Sequence, residues 1–170
     1  MNASFRKVVA CLCGLLAYLG FSAVAAPRVV EAFDGATWSQ LQASLQRPAV
    51  VVFSTTDCTH CPAAMESLAR EIHAGKLAAD LVAVVMNQAP GEADAGLLRS
   101  GHYRRADRLF SFAGSGTALR YSVNPEWRGV TPFIAFLVPH ERPVWVTGIP
   151  SASDVAHWVK AGSVARISAR

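Results

Sequence analysis

Cys58 and Cys61 are separated by two residues, Thr59 and His60. Thiols at this spacing can close a disulfide with each other, or as thiolates can hold a soft ion such as Cu(I). A bridge across two residues closes a very small loop and removes little entropy from the unfolded chain, so it is a weak structural staple. The spacing suits a bond that opens and closes. The thiolate is the nucleophile of disulfide exchange, and a histidine between the cysteines can favour it by hydrogen bonding or charge. His60 in that role stabilises the reduced pair and makes the couple more oxidising. The other four histidines, His73, His102, His140 and His157, are scattered and read as surface residues.

The flanking elements suit this chemistry. Residues 49–53 form a continuous apolar run, β-branched in its middle, as expected of a strand buried on both faces of a sheet. Residues 54–57 read as a loop. From about Cys58, Met65, Leu68, Ala69 and Ile72 recur at helical spacing. The pair therefore falls where a central strand hands over to a helix, whose N-terminal N–H groups and dipole favour a thiolate. Pro62 is compatible only with a helix that begins near residues 59–61.

The remaining chain predicts an amphipathic helix over 37–46 carrying Trp38, Leu41 and Leu45, and a second apolar strand over 81–86. Residues 133–138 and 144–147 read as strands around a turn, and Ser151 to Asp154 has capping-box spacing before a last helix. Between them, residues 87–130 make a long connection, with a half-buried strand over 107–112 and a helix over 113–121 weakened by Gly114 and Gly116. Arg99, Arg104, Arg105 and Arg108 cluster there and read as a solvated face.

Export is written at the N-terminus. Arg6 and Lys7 precede an uncharged apolar run over 8–21, and Ala23-Val24-Ala25 is a small-x-small cleavage pattern. The expectation is a signal peptide over 1–25 and a mature domain over 26–170 in an oxidising, periplasmic-type compartment; the rival is an uncleaved membrane anchor. Cys11 and Cys13 fall in the signal, leaving Cys58 and Cys61 as the mature pair. Of 170 residues, 52% are hydrophobic and 16% charged, which fits a single globular domain. The formal net charge is +4, and without Arg6 and Lys7 only +2, too small to argue for nucleic acid. No nucleotide-binding fingerprint is present.

The stretch VVVFSTTDCTHC at 50–61, together with Val130-Thr131-Pro132 before the apolar strand at 133–138, resembles the thioredoxin superfamily. The resemblance runs from about residue 29 to 161. The segment ADRLFSFAGSGTALRYSVNPEWRGVTPFIAFLVP is similar to the exported TlpA/ResA-like reductases, which carry an extra strand and helix before the proline. It implies an α/β fold with a central mixed sheet flanked by helices, an insertion over about 87–130, and an enzyme, a thiol–disulfide oxidoreductase. It further implies that Pro132 is cis and packs beside the Cys58–Cys61 disulfide, with Thr131 presenting backbone to an extended client peptide. Trp127, five residues before Pro132, can line the same groove or join the core, and Phe53 reads as core.

Several residues depart from the family pattern. Asp57 stands where these reductases have Trp, and His60 where they have Pro. Many thioredoxins bury a carboxylate six residues before the first cysteine; here that residue is Val52. His60 is shared with the oxidant DsbA and with protein disulfide isomerase, so a DsbA-like oxidant is the first alternative to a reductase. A Cu(I)-binding or delivery protein using Cys58, Cys61 and a histidine is the second, and a redox-inactive binding scaffold the third. The expected partners are protein thiols and disulfides, a client on one side and a regenerating, membrane-bound or soluble partner on the other, with weak Cu(I) binding as an option. No cofactor and no resident metal are expected.

Overall fold

The computed structural model describes residues 26–168, with side chains through Lys160. The expected signal segment, 1–25, lies outside the described residues. Among the described residues no helix is long and apolar enough to cross a membrane.

Strands β1 (Val30–Phe33), β2 (Ala49–Ser54), β3 (Asp80–Val85), β4 (Arg108–Phe112), β5 (Phe133–Leu137) and β6 (Val144–Thr147) form one sheet in the order β1-β4-β3-β2-β5-β6. The first four are mutually parallel; β5 runs antiparallel to β2, and β6 antiparallel to β5. Helices α1 (Thr37–Ala43), α2 (Cys61–His73), α3 (Asp94–Arg99), α4 (Gly116–Val123) and α5 (Ala152–Ser168) complete the order. This is the mixed sheet with flanking helices that the resemblance implied. The additional strand β4 does not extend an edge; it is inserted between β1 and β3.

Every residue of β2 is buried, because both sheet faces are covered. On one face Val50 and Val52 pack with Ala64, Met65 and Leu68 of α2 and with Trp158 of α5. On the other, Val51 and Phe53 pack with Trp38, Leu41, Leu119 and Trp127. A continuous apolar run is therefore required in β2, whereas the outer β6 is only partly buried. The last helix opens as its spacing predicts: the Ser151 N–H donates to Asp154 Oδ2 at 2.8 Å and the Asp154 N–H to Ser151 Oγ at 3.2 Å.

The basic cluster in the insertion is partly engaged. Arg108 makes a two-pronged contact with Glu31, at 2.9 and 2.5 Å, tying β4 to β1. Arg105 reaches Glu66 of α2 at 3.6 Å, and Glu66 also pairs with Arg70.

At the end of the sheet where β3 and β4 begin, Asp107 accepts the Leu81 N–H at 2.7 Å. Burial is the largest influence on this carboxyl and raises it above the ordinary carboxylate value, while the Leu81 bond opposes that. A carboxyl that is easier to protonate folded than unfolded favours the fold at low pH. That contribution is lost as pH rises through the native value. Asp107→Asn keeps an acceptor for Leu81 and removes the charge. In urea titrations the variant is expected to be more stable than the parent at pH 7, with the gap narrowing toward about pH 4. A gap that does not change with pH would contradict this account.

Candidate active site

β2 ends at Ser54, and the chain turns through residues 55–60 before α2 begins at Cys61. The turn is built on Thr55, whose carbonyl accepts the Cys58 N–H at 3.2 Å. His60 is the residue before α2, and its side chain makes no capping bond. Pro62 falls in the first turn of α2, where a missing N–H removes no helical hydrogen bond, so the helix runs on for 13 residues.

Cys58 and Cys61 are joined as a disulfide, with Cα atoms 5.4 Å apart. Their surroundings differ. Cys61 is fully buried against the sheet, whereas Cys58 is half-buried at the tip. The Cys61 backbone N–H donates to Cys58 Sγ at 3.1 Å. This N–H belongs to the helix N-terminus, where donors have no partner within the helix. It is already aimed at Cys58 Sγ, the placement in which such a donor favours a thiolate.

Asn87, just beyond β3, clamps the turn. Its Oδ1 accepts the Thr56 N–H at 3.0 Å, and its Nδ2 donates to Thr56 Oγ1 at 2.9 Å and to Asp57 Oδ1 at 3.4 Å. A hydrogen bond from the Thr55 side chain, then one from its own backbone, holds the Asp57 carboxyl below its ordinary value. Asp57 is thus a fixed anion next to Cys58 in the chain.

The Thr131–Pro132 peptide is cis. The pairing of Phe53 with Phe133 sets Pro132 across from Ser54, at the end of β2 from which the cysteine turn departs. Gly148, at φ +91, donates its N–H to the Pro132 carbonyl at 2.8 Å. Thr131 is half-buried and Val130 exposed. Trp127 lies beneath this loop: its ring stacks on Phe133 at 4.5 Å and packs against Phe53 at 5.0 Å, while Nε1 donates to the Val130 carbonyl at 3.0 Å.

Val52 is fully buried in the hydrophobic core on the α2 face of the sheet, so no carboxylate occupies that position. Glu66 is exposed and engaged with arginines on the surface. Among the described residues there is no group of three or more His, Cys, Asp or Glu side chains able to hold a metal, so no third ligand of those types joins the cysteine pair. His60 remains exposed beside the pair.

Three residues at this end of the sheet escape a reading of the sequence: Ser54, Asn87 and Tyr103. For Asn87 a signal existed. Parallel β2 and β3 run in register to Val85, which brings the residues just past it level with the turn after β2. For Tyr103, in a short 3-10 turn (Tyr103–Arg105) inside the insertion, no periodicity marks the contact.

No protein-family model matches this sequence, and no curated protein is recognisably similar to it. Solved structures are. A solution structure from Neisseria meningitidis, described as a candidate thioredoxin, superposes with a TM-score of 0.50 at 12% identity, covering 74% of this chain and 79% of that one. A secreted Mycobacterium tuberculosis disulfide oxidoreductase homologous to E. coli DsbE gives 0.48 at 21% identity, covering 72% and 85%. A thio-disulfide isomerase from Thermus thermophilus gives 0.49 at 14%, covering 71% and 82%. The protein has a thioredoxin-like fold.

Proposed function

We propose that the protein is an exported thiol–disulfide oxidoreductase of the TlpA/ResA reductase type, acting on protein clients through Cys58 and Cys61. The observation that carries this reading is the Cys61 N–H held 3.1 Å from Cys58 Sγ, with Cys58 reachable and Cys61 buried. Export rests on the signal-like sequence of residues 1–25.

In the reduced protein the Cys58 thiolate attacks a client disulfide. A Cys58–client bond forms, and the departing client sulfur leaves as a thiolate and takes a proton from water. The Cys61 thiol then gives up its proton and attacks Cys58 Sγ. The Cys58–Cys61 bond forms and the second client sulfur is released. Two electrons pass from the pair to the client, and a dithiol partner must return them. Thr131 offers backbone groups to an extended client segment in the strand-addition manner. Pro132 seats that loop, and Trp127 holds it from below.

Asp57 supports the reducing direction. A fixed anion beside Cys58 disfavours its thiolate, and therefore the reduced state, so the pair gives up electrons more readily. His60 acts in the opposite sense. The balance is measurable against glutathione buffers. His60→Pro is expected to make the couple more reducing, and Asp57→Asn more oxidising. One pKa unit on the attacking thiol corresponds to about 30 mV for a two-electron couple, so shifts of some tens of millivolts are expected. Shifts of the same sign in both variants would contradict the opposed roles. A parent potential as oxidising as that of DsbA, about −120 mV, would replace the reductase reading with the oxidant one.

A further inference from the structure

We propose that Tyr103, supplied by the insertion between β3 and β4, is the positioning residue for the Cys58 turn, setting how readily Cys58 ionises. This rests on the redox reading of the Cys58–Cys61 pair.

Tyr103 is 1% exposed, yet its hydroxyl reaches out of the core into the turn. Its Oη lies 3.0 Å from Ser54 Oγ and donates to the Thr55 carbonyl at 3.4 Å. Ser54 is fully buried and also reaches the Val84 carbonyl at 3.4 Å. Each hydroxyl carries one proton. The Ser54 proton serves either the Val84 carbonyl or Tyr103 Oη, and the Tyr103 proton is directed to the Thr55 carbonyl. The Thr55 carbonyl then accepts twice, from Tyr103 and from the Cys58 N–H at 3.2 Å. The chain of contacts from the insertion to the attacking cysteine is therefore a single carbonyl long.

The geometry matters most when the disulfide is open. The S–S bond then no longer fixes Cys58, and the turn alone must keep Sγ in line with the Cys61 N–H. Two side chains from outside the turn grip it: Asn87 at Thr56 and Asp57, and Tyr103 at Thr55. Asn87 is exposed and its bonds compete with water, whereas Tyr103 is sealed. The Tyr103–Thr55 bond is part-buried, so water replaces it less readily than the exposed bonds of Asn87 when it is lost. Burial, the largest influence, and the nearby Asp57 charge both raise the Tyr103 hydroxyl above its ordinary value, while the Ser54 bond lowers it; it works as a neutral donor.

The test uses the full chain in reduced form. Cys58 alkylation by iodoacetamide is followed against pH, with unfolding by urea measured in parallel. Tyr103→Phe keeps the ring and removes the hydroxyl. The polar neighbours in the chain, Asp57 and His60, are untouched. The midpoint of the profile is expected to rise by about half a pH unit, a roughly threefold loss of thiolate at pH values well below the midpoint. Ser54→Ala leaves Tyr103 able to donate to Thr55, and the midpoint is expected to stay within about 0.2 unit of the parent, inside ordinary error for such a profile. A Tyr103→Phe protein that loses stability but keeps the parent midpoint would reduce Tyr103 to a packing residue and overturn the proposal. Equal shifts in both variants would also overturn it, by placing the effect in the Ser54 contact. If the parent's Cys58 shows no reactive thiolate near neutrality, the redox reading itself fails, a result distinct from either of these.

Discussion

Cys61→Ala is expected to accumulate covalent complexes with client proteins, and Cys58→Ala to accumulate none. The asymmetry follows from placement. Cys58 is half-buried at the turn, with a helix-terminal N–H aimed at its sulfur, while Cys61 is fully buried in the first turn of α2. A client sulfur can reach only the first. Without Cys61 the mixed disulfide has no internal resolver, and its release waits for an external thiol. Both variants should lose essentially all catalysed reduction of insulin by dithiothreitol. Non-reducing gels of the two variants, expressed with a trapping client pool, provide the reading. Equal trapping by both, or alkylation of Cys61 before Cys58 in the reduced parent, would reverse the assignment.

The second large effect is on stability. Phe53 is fully buried on the face of β2 opposite α2, with ring centroids of Phe33 and Trp38 at 5.8 Å and of Trp127 at 5.0 Å. It is the shared neighbour of α1, β1 and the loop before Pro132. Phe53→Ala leaves a cavity that three elements would have to move together to fill, and a cost of about 3–5 kcal/mol is expected. The loss should extend to the site, because Trp127 holds the Val130 carbonyl from this cluster. Urea denaturation gives the stability change, and the rate of client reduction under conditions where the variant is still folded gives the functional one. A cost under about 1 kcal/mol would show that the cluster can collapse around the gap.

The redox centre was legible in the sequence because its supports are long or strongly patterned. The run at 49–53 became β2, Ala49–Ser54, and the helical spacing after Cys58 became α2. The strand expected over 144–147 is β6, Val144–Thr147. Short elements were not legible. β1, Val30–Phe33, has four residues, of which only Phe33 is fully buried, so no alternation stands out. α3, Asp94–Arg99, buries only Leu97 and contains Gly96. The helix expected over 113–121 begins instead at Gly116, because Ser115 takes the cap position and its Oγ accepts the Ala118 N–H. α1 stops at Ala43 rather than 46. At the site, Cys58, Cys61 and the proline before β5 carry their own signatures. Tyr103 does not: its contact with Thr55 joins residues 48 apart in sequence and depends on how the insertion folds back over α2.

The parallel run of β1, β4, β3 and β2 fixes the polarity of the molecule. All four strands finish at the end of the sheet where the cysteine turn, Asn87 and Pro132 meet. Val30, where β1 starts, is level with Leu109 of β4, Ala83 of β3 and Val52 of β2, so along the strands it lies only two residues short of Ser54, about 7 Å at about 3.3 Å per residue, and three strands to the side. Whatever is joined ahead of β1, whether a lipid-facing tether, a fusion partner or a sensor chip, grips the domain at this edge strand, roughly 14 Å to the side of β2 at about 4.8 Å per strand. A link there lies beside the cysteine turn and not behind it, so the length of the link sets how large a partner can approach that turn.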